Sequence, residues 1–259
     1  MCAKAVVTGA SNGIGLELAR LLARDGYDLL LVARSEERLK EVSEELYRKF
    51  GVKAEYLPTD LTQADSCERI FKAAGGETDI LINNAGFGDY GRFATCNWEK
   101  QEKMIELNVL ALSHLTHLFL PKMIDKGNGK ILNLASVASF EPGPLMSVYY
   151  ATKAYVLSFT EALASELKKT GVTAHALCPG PTNTGFSKAA GAQKTNVFKE
   201  SSSASAPKVA AYGYRKMMKG KTVIVCGIGF KFLVFAVRIL PRSAVRKIVM
   251  MIQSKSIEE

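Results

Sequence analysis

The chain has 259 residues, of which 47% are hydrophobic, 23% charged and 8% aromatic. That length and mix exclude a disordered chain, a collagen and a disulfide scaffold, and they supply a sizeable core without structural metal. The formal charge is +9, but residues 1–207 are balanced at 23 Lys/Arg and 23 Asp/Glu, so the whole excess lies in residues 208–259 with 11 Lys/Arg and 2 Asp/Glu.

Apolar runs alternate with helical patterns from the start. Ala3–Thr8 reads as a buried strand, Gly13–Asp25 as a helix and Asp28–Ala33 as a second strand. Ser35 is placed to N-cap a helix reaching Phe50. Ala54–Leu57 is a short strand, Thr62–Ala74 a helix and Asp79–Asn83 a fourth strand. The spacing predicts one long helix over Asn97–Asp125, with one apolar stripe at positions 104, 107, 111, 115 and 118. Ile105, Val109, Leu112 and Phe119 make a second stripe, so this helix is expected to be covered twice, once by a second copy of the chain. Gly129–Leu134, Ser147–Lys169 and Val172–Cys178 read as strand, helix and strand, and Thr222–Cys226 as a seventh strand. Continuous apolar strands separated by helices predict the α/β class, a doubly wound, Rossmann-like parallel sheet of about seven strands with helices on both faces. No linker divides the chain, so residues 1–259 read as one domain. Gly185–Pro207, rich in Ser, Ala, Lys and Asn, reads as a mobile loop over the site.

Five scattered cysteines without a C-x-x-C pair suit a reducing compartment. The first residues lack a signal-peptide pattern, which predicts a cytoplasmic protein. Val223–Leu240 is the most apolar stretch, but Lys231 and Arg238 interrupt it, and its longest charge-free run, Val223–Phe230, is too short to span a bilayer. A basic, apolar C-terminal segment fits peripheral contact with an anionic membrane, or else an ordinary solvated rim. It carries no nucleic-acid-binding module. His114 and His117 stand three apart but without evident metal-ligand partners, so no metal is expected. His175 sits in an apolar strand, as a core histidine would.

Thr8-Gly9-Ala10-Ser11-Asn12-Gly13-Ile14-Gly15 follows the first strand and opens the first helix. Glycines there let backbone N–H groups approach a pyrophosphate at a helix N-terminus. The acid that would bind the ribose 2′-OH of NAD is missing after the second strand. Arg34 stands there instead and suits the 2′-phosphate of NADP.

These residues, in this order, resemble the short-chain dehydrogenase/reductase family. Thr8–Gly15 resembles its T-G-x-x-x-G-x-G loop, Asp60-Leu61 its adenine-contacting pair, and Asn83-Asn84-Ala85-Gly86 its N-N-A-G element. Asn108 lies where the family carries its catalytic asparagine. Ser136, Tyr149 and Lys153 resemble its active-site serine and Y-x-x-x-K motif, and Pro179-Gly180 with Thr184 its P-G-x-x-x-T stretch. The resemblance covers Ala3 to about Thr184, the cofactor and catalytic core. It leaves residues 185–259 as substrate loop and C-terminal extension.

The resemblance implies catalysis by Asn108, Ser136, Tyr149 and Lys153. It implies cofactor contacts from Gly9, Ser11, Asn12, Gly13, Ile14, Gly15, Arg34, Asp60, Leu61, Asn84, Ala85, Gly86, Tyr149, Lys153, Pro179, Gly180, Thr182 and Thr184. By family position Phe87, Phe140, Pro142, Leu145 and Phe186 should line an apolar cleft suited to a lipophilic ketone or alcohol. Asn108 should hold a water linking Lys153 to solvent, and the long helix and Ser147–Lys169 should form a homodimer or homotetramer face. Tyr149 and Lys153, four apart, share a helix face. An ammonium there is expected to lower the tyrosine pKa so that the phenol can work as acid or base. Ser136 would support the growing negative charge on the substrate oxygen. The expected function is NADP-dependent hydride transfer between nicotinamide and a carbonyl or secondary alcohol. The alternatives are a dinucleotide-binding regulator or scaffold without turnover, and epimerase or dehydratase chemistry on nucleotide sugars.

Overall fold

The structure, a computed structural model, describes residues 3–191 and 204–254. The first half runs β1 (Lys4–Thr8), α1 (Gly13–Arg24), β2 (Asp28–Ala33), α2 (Glu36–Phe50), β3 (Ala54–Pro58), α3 (Ser66–Ala73) and β4 (Ile80–Asn83). Next come α4 (Trp98–Ile105), α5 (Leu112–Lys126), β5 (Gly129–Leu134), α6 (Ser147–Glu166) and β6 (Val172–Cys178). The chain continues through β7 (Thr182–Asn183), α7 (Phe186–Ala189), β8 (Ala204–Ser205), α8 (Ala206–Met218), β9 (Val223–Val225), α9 (Ile228–Ile239) and α10 (Arg242–Ser254).

Seven strands make one parallel sheet in the order β3-β2-β1-β4-β5-β6-β9. Successive side chains of a strand point to opposite faces, so a strand that is apolar throughout needs cover on both. Ala5 and Val7 of β1 pack with Leu29 and Leu31 of β2 under α1, α2 and α8. The intervening Val6, Leu30 and Val32 pack under α3, α5 and α6. The strand order reverses between β1 and β4, which opens a crevice at the carboxyl ends of the strands.

Four sequence expectations are corrected. The helix predicted to begin at Thr62 starts at Ser66, because Asp60 Oδ1 accepts from the Thr62 N–H (3.0 Å) and hydroxyl (2.9 Å) and holds the chain in a turn. Ser35 occupies the N-cap position of α2 but makes no side-chain cap hydrogen bond. The single long helix is interrupted by a π-helical turn over Glu106–Ala111. The predicted loop Gly185–Pro207 contains α7, β8 and the start of α8, and β8 pairs with β7; residues 192–203 of that loop lie outside the described residues. Among the described residues, no helix is long and apolar enough to cross a membrane.

Candidate active site

After β1 the chain turns through Gly9, whose φ of +66° favours glycine. A Cβ on Gly15 would lie 2.3 Å from both the Gly9 carbonyl oxygen and Asn84 Nδ2, so the first turn of α1 can rest on the loop only without a side chain there. Asn84 Nδ2 donates to the carbonyls of Thr8 (3.0 Å) and Gly9 (3.2 Å), tying the N-N-A-G segment to the glycine loop. Thr8 Oγ1 accepts from the N–H groups of Asn84 and Ala85. A helix start leaves its first N–H groups without intrahelical partners. Here the Asn12 side chain makes no cap and the first turn holds no acid, so α1 is open to an anion.

The glycine loop lines one part of a cavity of about 930 Å³ along the carboxyl ends of the strands. Arg34, Asp60 and Leu61 line the same part, and Arg34 is exposed. Thr59 Oγ1, buried beside them, has no hydrogen-bond partner among the described residues. Ala85, Gly86, Pro179, Gly180, Thr182 and Thr184 carry the lining towards the reactive groups, whereas Gly15 shapes the loop from behind.

Ser136, Tyr149 and Lys153 meet in the middle of the cavity, all buried. Ser136 follows β5, and its hydroxyl accepts from the Ala138 N–H (3.1 Å) while Ser139 Oγ accepts from the Ser136 N–H (3.2 Å), a reciprocal cap that fixes the serine. Tyr149 and Lys153 lie one turn apart on α6, with Lys153 Nζ 5.9 Å from the Tyr149 ring centre. That ammonium donates to the Leu134 carbonyl (2.7 Å). Burial pushes the Tyr149 phenol up to about 12, and the Ser136 hydroxyl pulls the other way. Burial pulls Lys153 down to about 8. Burial drives both groups towards their neutral forms, opposite to the acidification expected of the phenol.

Asn108 stands behind the cavity, inside the π-helical turn. Its Nδ2 donates to the Phe87 carbonyl (2.9 Å) and to Thr152 Oγ1 (3.1 Å), and its Oδ1 accepts from the Phe87 N–H (3.2 Å). These bonds fix the segment after N-N-A-G and join α6 to the helix that carries Asn108. Phe87 and Phe186 line the cavity, and the Phe186 ring lies 5.2 Å from that of Tyr149. Phe140, Pro142 and Leu145 are not in the lining. Phe140 packs against the core formed by Leu112, Ala135 and Val156, and Leu145 is buried at a φ of +66°.

The cleft is also less apolar than expected, because Glu141, Tyr90, Tyr150 and Gln253 line it. Glu141 lies between two residues the sequence singled out. Gln253 arrives from α10 and had no local signal.

Residues 3–195 match the family described as short chain dehydrogenase. The chain belongs to that family. An uncharacterized oxidoreductase of Staphylococcus epidermidis is 36% identical over 183 residues, 70% of this chain and 78% of that one. A very-long-chain 3-oxoacyl-CoA reductase-B of Danio rerio is 35% identical over 189 residues, covering 71% of this chain and 61% of that one. A solved short-chain dehydrogenase from Sphingobium yanoikuyae in complex with NADPH superposes with a TM-score of 0.82 at 31% identity, covering 90% of this chain and 92% of that one. This dehydrogenase is thus a nicotinamide-dependent oxidoreductase acting between alcohol and carbonyl. The open start of α1, the tight Gly9–Gly15 contact and the orphaned Thr59 hydroxyl fit a dinucleotide.

Proposed function

We propose that this dehydrogenase is an NADP-dependent reductase of a lipophilic ketone, with Tyr149 as the proton donor. The observation that carries this reading is a buried, protonated phenol beside a fixed serine hydroxyl, in the cavity that the uncapped α1 terminus also lines. The N–H groups at Gly13–Ile14 would hold the pyrophosphate, Arg34 the 2′-phosphate, and Asp60-Leu61 the adenine. When bound, the nicotinamide supplies the hydride. Tyr149 gives its proton to the substrate oxygen, Ser136 donates a hydrogen bond to that oxygen, and the Lys153 ammonium favours the phenolate left behind. Asn108 acts as a positioning residue through Phe87 and Thr152. Residues 185–259 select the substrate, since α7, α9 and α10 all contribute to the lining.

Two further features belong to the same reading. The outer faces of α5 and α6 meet a second copy of the chain. The basic, apolar face of α9 and α10 rests on an anionic membrane from which substrate enters, on a protein otherwise in the cytoplasm.

The test is oxidation of NADPH and NADH with a panel of lipophilic ketones. Tyr149→Phe is expected to lose about 10²–10⁴-fold in kcat. Arg34→Asp is expected to raise KM for NADPH about tenfold, a loss of roughly 1.4 kcal/mol, with little change for NADH. An inert wild type that still binds NADPH would favour the regulator reading. Equal effects of Arg34→Asp on both cofactors would remove that residue from 2′-phosphate recognition.

A further inference from the structure

The substrate half of the cavity carries two acceptors that the reaction does not use. Glu141 follows the short helical turn after Ser136 and lines the cavity. Its carboxyl takes no hydrogen bond or ion pair among the described residues, and burial raises its pKa above the usual carboxylate range. Gln253, on α10, is 2% exposed. Its Nε2 donates to the Tyr150 hydroxyl (2.8 Å), and its backbone carbonyl accepts from the Tyr90 hydroxyl (2.7 Å). Its Oε1 is buried without a partner among the described residues. Tyr150 links the two acceptors, because it bonds to Gln253 and lies close enough to Glu141 to feel its charge.

Buried polar atoms are normally paired, and the orphaned Gln253 acceptor costs about 1–3 kcal/mol until a donor arrives. That buried acceptor and the half-buried Glu141 carboxyl, in a cavity also lined by Phe87, Phe186, Phe230 and Ile252 and by the hydroxyl-bearing Tyr90 and Tyr150, describe a mixed demand, apolar along most of the ligand and donating at one place. The donor is neutral. The helices α9 and α10 that also line the cavity hold Lys231, Arg238, Arg242, Arg246 and Lys247 and no acid, a field that opposes an arriving ammonium.

We propose that Glu141 and Gln253 form a hydroxyl-reading subsite, so that the preferred substrate is a lipophilic carbonyl compound with a hydroxyl group remote from the carbonyl. This deepens the ketone-reductase reading and rests on it for the carbonyl. A site built to bond a substrate hydroxyl discriminates strongly against the analogue without it, because its own polar groups are then left unpaired.

Binding and turnover are measured separately so that the two ideas fail separately. Calorimetry on the full chain with NADP⁺ gives Kd values for a series of ω-hydroxy-2-alkanones of graded length, each against the 2-alkanone and the ω-amino-2-alkanone of the same chain. At the length that spans the cavity, the hydroxy ketone is expected to bind at least about tenfold tighter than the alkanone, and tighter than the amino ketone. Within Glu141→Gln and within Gln253→Leu that ratio is expected to fall several-fold. Taking the ratio inside each variant separates this contact from general damage. A wild type with no preference at any length, a preference for the amino ketone, or a ratio unchanged in both variants would overturn the subsite. Absence of NADPH oxidation by every ketone would instead overturn the reductase reading while the Kd ratios still judge the subsite.

Discussion

At position 153 an ammonium sits almost wholly buried, 4% exposed and bonded to a backbone carbonyl. Its pKa falls from 10.5 to about 8. Below pH 8 both folded and unfolded chains carry this proton, and the folded state bears the burial cost. Between about pH 8 and 10.5 the unfolded chain holds the proton and the folded chain does not, so this group makes stability rise with pH. Tyr149 acts in the opposite sense, because its pKa is raised to about 12 and the folded chain keeps a proton that the unfolded chain has lost above pH 10. Lys153→Met is therefore expected to stabilise the fold at pH 7 by about 2 kcal/mol, less near pH 10, while abolishing reduction. Thermal melting of both proteins at the two pH values checks this, and an equal shift at both would refute it. In the wild type, reduction is expected to decline as pH rises through about 8, since neutral Lys153 no longer favours the phenolate that Tyr149 becomes. These two residues were legible because four positions on a helix make one turn. Their protonation was not, since desolvation depends on everything packed around them.

The helix pair α4–α5 shows what an element adds. Read as an unbroken helix, the segment places Leu112 and Phe119 on a second apolar face awaiting a partner. In the structure both are buried within the protomer, at 4% and 0% exposure, while Leu110 is 60% exposed. The π-helical turn over Glu106–Ala111 is the reason. It accommodates an extra residue, so the phase of everything after it slips relative to the α-helical period, and Asn108 is turned towards Phe87. The face left outside carries Leu110 and, on α6, Tyr155, which stacks on Phe159 and whose hydroxyl lies 3.1 Å from Ser113 Oγ. An exposed apolar strip on two adjacent helices is expected to pair with its own copy about a two-fold axis. Light scattering should give a dimer or tetramer mass for the wild type and a monomer for Leu110→Arg. A mass unaltered by that substitution would place the contact elsewhere.

For the molecule as a whole, charge and apolar exposure coincide. Ile228, Phe232, Phe235 and Ile239 of α9 are each more than 60% exposed. The cations of α9 and α10 are exposed as well, and Phe230, Leu233 and Ile252 of the same helices line the cavity. Interfacial helices combine these two properties, each cation near an anionic surface being worth about 1 kcal/mol. Sedimentation with phosphatidylglycerol vesicles should carry the wild type down at low salt, and the Phe232→Asp/Phe235→Asp double variant at least about tenfold less. Equal binding to neutral vesicles, or no effect of the double variant, would reduce this face to a solvated rim.

Sequence alone determined the strand–helix alternation, the parallel sheet, the glycine loop and the Tyr149–Lys153 pair. All of these rest on spacings between near neighbours in the chain, which backbone geometry turns directly into faces and turns. Tertiary structure decided which side chains border the ligand. It withdrew Phe140 and Leu145 into the core, turned Glu141 into the cavity, and brought Gln253 to Tyr150 across 103 residues of chain. No local period encodes such a meeting, because it depends on how whole elements pack and on which polar atoms that packing leaves without water.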